Sequence, residues 1–195
     1  MGNQILKEKM LLFLYAISNN TKNININTFQ RYLYLYFVSD AFLNKKNTDT
    51  DVIIFSDEKS GVRIEGYAES IEGFQISDFI DTEGITIIIK DELRKYLQPL
   101  VESQKGLIID QYKEIVPFVN LLSSYDEDFL FTILFSEPTI EAVERRQLET
   151  IDVKDNKLIK LLNDFKEKIT NKDIDEYDIL SHWMDFIIHK SFSED

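Results

Sequence analysis

The chain has 195 residues, 44% of them hydrophobic, with no cysteine and a formal net charge of −13. A compact fold of this length buries roughly 70% of the unfolded chain's surface, so no metal or disulfide staple is required, and the missing cysteines exclude thiol catalysis, thiolate metal sites and disulfides. The charge is uneven: residues 1–50 carry six Lys or Arg against three acids, leaving 16 against 32 in residues 51–195, an acidic bulk that repels a phosphate backbone and is compatible with a basic protein partner, although the ordinary explanation is that net charge keeps a protein in solution.

Lys7, Glu8 and Lys9 precede an apolar run, but no small-residue cleavage site follows it, so a signal peptide is not expected. The run Met10–Ile17 is too short to span a bilayer, and the expectation is a soluble, cytoplasmic protein with no membrane contact. Residues 4–18, QILKEKMLLFLYAIS, place Ile5, Met10, Leu12, Phe13 and Ile17 at approximately helical spacing. A polar loop, NNTKNININ, follows. Asn27, with Gln30 three residues on, forms a capping-box pattern that opens a helix over 28–43.

In that second helix Phe29, Tyr32, Leu33, Tyr36 and Phe37 recur at i, i+3, i+4, i+7 and i+8, while Leu35, Val38 and Phe42 lie largely on the other face. A helix apolar on both sides needs neighbours on both sides. Either it is central in its own domain, or part of it is an exposed aromatic stripe. Tyrosine has an apolar body and a polar tip and is enriched at protein interfaces. On the second reading Tyr32, Tyr34, Tyr36 and Phe37 are the candidate partner-interface residues.

VIIF (52–55) and VRIEGY (62–67) flank the turn SDEKSG and predict a β-hairpin. GITIIIK (84–90) is β-branched and too short for a helix, so it reads as a strand. Asp91 then caps a helix to about Val101, with Leu93, Tyr96, Leu97, Leu100 and Val101 on its apolar face and Pro99 marking a kink or restart. The remainder reads as helices. Tyr112–Leu122 is interrupted by Pro117, and Ser124 with Glu127 forms a second capping box ahead of DFLFTILF. Pro138 suits the first turn of a short helix through Arg146. Residues 155–169 line up Leu158, Ile159, Leu161, Leu162, Phe165 and Ile169, and residues 175–190 line up Leu180, Trp183, Met184, Ile187 and Ile188.

This order predicts an α+β, mostly helical fold. Residues 1–105 form a winged-helix-like region of two helices, a β-hairpin, a strand and a helix. Residues 106–195 form a helical region packed on it, with a boundary near Lys105–Gly106 or with both regions in one continuous domain.

Chemistry is sparsely signalled. There is no phosphate-binding glycine loop and no G-x-S-x-G elbow. No catalytic, cofactor-binding or metal residue is assigned, and the chain reads as a non-enzyme without a small-molecule substrate. Asp178, His182, Asp185 and His189 share one helix face at i, i+4, i+7 and i+11, a spacing able to hold a divalent metal. A polar face opposite Leu180, Trp183, Met184 and Ile187 is the ordinary explanation. The acid clusters Asp126, Glu127, Asp128 and Asp173, Asp175, Glu176, Asp178 stand at helix starts, where they cap free amides and meet the helix dipole. Of the groups a DNA-reading half would need, the hairpin turn offers Asp57, Glu58 and Lys59 with Arg63 nearby, and the second helix offers only Arg31 and Lys45–Lys46 at its ends. DNA contact is therefore expected to be at most indirect, through a complex.

Four stretches in this order carry a resemblance: MLLFLYAIS, RYLYLYFVSD, ITIIIKDELRKYL and SYDEDFLFTILFSEPTIEAVERR. Together, over about the first 145 residues, the chain resembles the middle-component subunits of ABC-three-component systems, including the Lamassu-type antiphage operons. The resemblance implies a small non-catalytic adaptor in an antiviral defence complex, bridging an SMC/Rad50-like ATPase and an effector such as a nuclease. The same layout is similar to winged-helix accessory subunits of condensin-like complexes. It is less similar to SocA-like (Panacea) antitoxins, because a G-P-Y-like turn after the second helix is missing; the alternative functions are a winged-helix antitoxin or transcriptional regulator, or an accessory subunit of a condensin-like complex.

Overall fold

The computed structural model describes residues 2–44, 52–57, 61–103, 106–143, 150–169 and 174–192. The fold is α+β and mostly helical, with two small antiparallel sheets among the described residues. Helix α1 (Gly2–Ile17) leads through a turn to β1 (Asn23–Asn25), a strand inside the stretch expected to be loop. Helix α2 (Ile26–Asn44) follows at once. Its start is set by Asn25, not Asn27: the Asn25 Oδ1 accepts the Asn27 N–H at 2.8 Å. Gln30 does not close a capping box either. Its Nε2 donates to the Val62 carbonyl at 2.8 Å and ties α2 to a neighbouring strand.

The expected hairpin forms as β2 (Ile54–Asp57) and β3 (Gly61–Ile64), registered Ile54 to Ile64. The extended reading of 62–67 stops short, because Gly66 at φ 80° turns the chain into helix α3 (Tyr67–Ile76). That backbone region has no Cβ penalty for glycine. After α3 the chain forms a second hairpin, β4 (Ile80–Glu83) and β5 (Thr86–Ile89), closed by the two-residue loop Gly84–Ile85. Strand β1 pairs with the free edge of β5, giving the order β1-β5-β4. The first hairpin belongs to a different sheet, β3-β2-β6, completed by β6 (Thr150–Ile151). The turn residues Glu58 and Lys59, like Lys45 and Lys46, lie outside the described residues.

Helix α4 (Asp91–Glu102) runs through Pro99, and α5 (Leu107–Leu122) starts five residues earlier than expected and runs through Pro117 without a break. An interior proline loses a hydrogen bond and strains the helix by about 3 kcal/mol. In α5 that is offset by Ile115, Phe118, Val119 and Leu122, each fully buried, while Pro117 itself faces out. Helix α6 (Glu127–Phe135) is capped by Asp126, whose carboxylate accepts the Phe129 N–H at 2.9 Å. Ser124 instead closes the end of α5 by donating to the Leu121 carbonyl. Helix α7 (Pro138–Val143) has Pro138 in its first turn as expected; the continuation toward Arg146 lies outside the described residues. Helices α8 (Lys157–Lys168) and α9 (Glu176–Phe192) are the last of the described elements.

The expected regions 1–105 and 106–195 share one hydrophobic core, which runs without interruption from Leu6 to Met184. Pairing of β2 with β6 stitches the two in a common sheet. Among the described residues no helix is long and apolar enough to cross a membrane.

Candidate functional site

Helix α2 lies at the centre of this core, against β3 and helices α5, α6, α8 and α9. Tyr32, Tyr34, Tyr36 and Phe37 are consequently all buried within the chain, so the reading of these four as an exposed partner interface is corrected. The physical reason is topological. The later helices close over the side of α2 that the first half leaves open. The Tyr34 and Tyr36 hydroxyls are satisfied internally. The Tyr34 hydroxyl donates to Glu137 Oε2 at 2.6 Å, and the Lys9 ammonium donates to the Tyr36 hydroxyl at 3.0 Å. Burial pushes both phenols well above their ordinary pKa, so they remain neutral. Tyr36 also meets Phe13 and Phe118 edge-on, with ring centroids 5.1 and 5.3 Å away. The aromatic density of the segment is thus core packing.

The polar face of α9 is dispersed in its contacts. His182 Nδ1 lies 2.6 Å from the Asp178 carbonyl in the preceding turn, and Asp185 accepts the Tyr125 hydroxyl at 2.8 Å. Among the described residues no three His, Asp or Glu side chains converge as a metal site. The acid clusters cap helices: Asp126 does so for α6, and Asp175 accepts the Asp178 N–H at 2.8 Å at the start of α9. Asp173 lies outside the described residues.

The surface feature that the sequence reading missed is apolar and lies on α8 and α9. Along α8 the stripe Leu158, Leu162, Phe165, Ile169 begins fully buried against α2 and α7. It then outruns its cover, and Phe165 is 45% exposed. On α9, Ile179, Leu180, Trp183 and Met184 face inward while Phe186, 57% exposed, faces out. Between them lies a cavity of ≈ 420 Å³ lined by Phe165, Ile169, Ile174, Ile179, His182, Trp183 and Phe186. A second cavity of ≈ 370 Å³ shares Phe165, Trp183 and Phe186 and continues past Leu161 and Ile187 to Phe135 and Pro138, with Glu141 and Lys190 at its rim. Helix α6 extends the aromatic surface. Phe131, 47% exposed, stacks on Phe135 at 4.4 Å and lies under the Arg31 guanidinium at 5.1 Å. Phe192 meets the Phe129 ring at 5.3 Å.

The local signal for this groove was Phe186. It sits off the stripe 180, 183, 184, 187 and among the polar residues of α9. An apolar ring among the polar residues of an amphipathic helix lies off the face that packs on its own core. No protein-family model, curated protein or solved structure matches the chain.

Proposed function

We propose that the chain is a non-catalytic adaptor subunit that holds a partner protein through the aromatic groove between α8 and α9. The observation that carries this reading is the pair Phe165 and Phe186, half exposed on either side of the ≈ 420 Å³ cavity whose lining is apolar except for His182. Large apolar rings flanking a concave surface are what interface anchors require, because they release ordered water on docking and exclude it afterwards. The resemblance to middle-component subunits of ABC-three-component, Lamassu-type systems supplies the class of partner: an SMC/Rad50-like ATPase, with an effector such as a nuclease on the far side of the bridge.

A second reading, a winged-helix antitoxin or regulator, is favoured by one feature. A winged helix is a three-helix unit whose closing hairpin takes a third strand from the segment after the first helix. The succession α1, β1, α2, α3, β4, β5 with strand order β1-β5-β4 supports that reading, although the β2–β3 hairpin stands between α2 and α3. The charge on α3 weighs against DNA reading. Its exposed positions include Ala68, Glu69, Glu72 and Ile76, and it carries no Lys or Arg. Phosphate contacts need cations.

Coexpression with a neighbouring coiled-coil ATPase and effector, followed by size-exclusion chromatography, tests the adaptor reading. The wild-type chain is expected to elute with the ATPase. A Phe165→Ser/Phe186→Ser variant with an unchanged circular dichroism spectrum is expected to elute alone. Co-elution of that variant overturns the groove assignment. Specific binding of the isolated chain to its own promoter at physiological salt establishes the second reading.

A further inference from the structure

We propose that the outer face of α3 and the tip of the β4–β5 hairpin form a second docking surface, which receives a basic protein segment with apolar side chains between its charges. Two side chains mark the surface. Ile76, at the end of α3, is 87% exposed, and Ile85, at the hairpin tip, is 61% exposed. The frame that holds them is internally braced. The Gln75 Nε2 donates to the Thr82 Oγ1 at 2.7 Å, so the last turn of α3 lies along β4. The Ile26 N–H donates to the Ile85 carbonyl at 2.8 Å, which anchors the hairpin tip to the start of α2. Exposed isoleucines on a braced frame bury apolar area on docking with little loss of chain entropy.

Charge decides the occupant. Residues 61–90 contain six acids and only two basic residues. Both cations are engaged locally: the Lys90 ammonium bridges Asp78 and Asp81, and the Arg63 guanidinium lies over the Phe55 ring at 5.2 Å. Glu69 and Glu72 on α3, and Glu83 at the hairpin, are exposed. A nucleic acid is repelled from this face, and so is a second copy of a chain whose net charge is −13. A Lys- or Arg-bearing segment is attracted, and Ile76 and Ile85 then fix its register through its apolar residues. This surface is distinct from the α8–α9 groove, so an adaptor with both has two places to hold partners.

Amide NMR of the full chain tests the assignment, with a short amphipathic Lys/Leu peptide as the probe and a duplex oligonucleotide and an oligolysine as comparisons, all at physiological salt. The expected result is chemical-shift change concentrated on α3 and Gly84–Ile85 with the Lys/Leu peptide. Binding is expected to weaken about tenfold in Glu69→Lys/Glu72→Lys, about tenfold in Ile85→Ser, and by a similar factor when oligolysine replaces the peptide. Shifts confined to α8 and α9, binding unaffected by either variant, or equal binding of the duplex at this face overturns the proposal. The outcome is independent of the Phe165→Ser/Phe186→Ser experiment, so failure of either surface is recognised separately.

Discussion

The Tyr34 hydroxyl donates to Glu137 Oε2 across 2.6 Å, and both side chains are fully shielded from solvent. The bond joins the centre of α2 to the α6–α7 junction, 103 residues further along the chain. The same carboxylate accepts the N–H groups of Thr139 and Ile140 at 2.9 and 3.0 Å, so it also caps α7. A single buried acid therefore fixes both the start of a helix and its position against the central one.

This geometry sets the response of Tyr34 to substitution. Tyr34→Phe removes the hydroxyl donor from a buried carboxyl and is expected to destabilise the fold by about 1–3 kcal/mol. Tyr34→Asp places a second acid beside Glu137 in an apolar interior and is expected to abolish folding. Urea denaturation followed by circular dichroism separates the cases: a shifted midpoint for Phe, no cooperative transition for Asp. A folded Tyr34→Asp chain means that α2 is not the core element described.

Glu137 also implies a pH dependence. Burial raises its pKa above the ordinary carboxylate value, and the hydrogen bonds from Tyr34, Thr139 and Ile140 only partly oppose that rise. A carboxyl whose pKa is higher folded than unfolded favours the fold when protonated. Its contribution is complete below the unfolded value of 4.5 and is lost as pH rises through the higher folded value. Glu137→Gln has no proton to lose there. The stability of the wild type relative to Glu137→Gln is therefore expected to fall as pH rises from 4.5. Urea midpoints of the two proteins across the acid range measure this difference, and a constant difference contradicts the assignment.

Periodicity made most helices legible, because stripes such as Leu158–Leu162 and Leu180–Trp183–Met184 repeat at the helical interval whatever covers them. It missed α3 and β4, whose stretch YAESIEGFQISDFIDTE has a broken stripe and takes its form from Gly66 and from pairing with β5. It also misread Pro117 as an interruption, since the packing that keeps α5 continuous through it comes from elsewhere in the chain. Burial of Tyr32, Tyr34, Tyr36 and Phe37 was undecidable locally: a helix apolar on both faces is equally a core helix and a shared one until the elements around it are placed. Phe165 was hidden for the converse reason, because its exposure depends on where the covering helices end, whereas Phe186 stands off its helix's apolar stripe in the sequence itself.

The Phe13–Tyr36–Phe118 cluster is where α1, α2 and α5 meet. Phe118 is adjacent to Pro117, so its burial also holds together the stretch of α5 that proline weakens. Phe118→Ala is expected to destabilise the fold by about 3–5 kcal/mol and to reduce helicity near Pro117 before global unfolding. Thermal melts give the first effect, and hydrogen exchange of the α5 amides gives the second. Exchange that stays uniform along α5 shows that the proline is tolerated without this packing.

The chain has a single tryptophan, and it lines both cavities of the α8–α9 groove. Trp183 is only 4% exposed, so its emission responds to what enters the groove beside it. An apolar fluorescent dye such as anilinonaphthalene sulfonate is expected to bind there and quench Trp183 by energy transfer. Phe165→Ser/Phe186→Ser removes the two rings that flank the space, and dye affinity is expected to fall about tenfold, equivalent to the loss of about 1.4 kcal/mol. Both rings are about half exposed, so the same variant is expected to lose about 2 kcal/mol of folding stability. A tenfold loss of dye affinity without a stability loss of several kcal/mol distinguishes a docking groove from a poorly covered piece of core. Equal quenching in wild type and variant places the dye elsewhere, and a stability loss several times larger assigns Phe165 and Phe186 to the core.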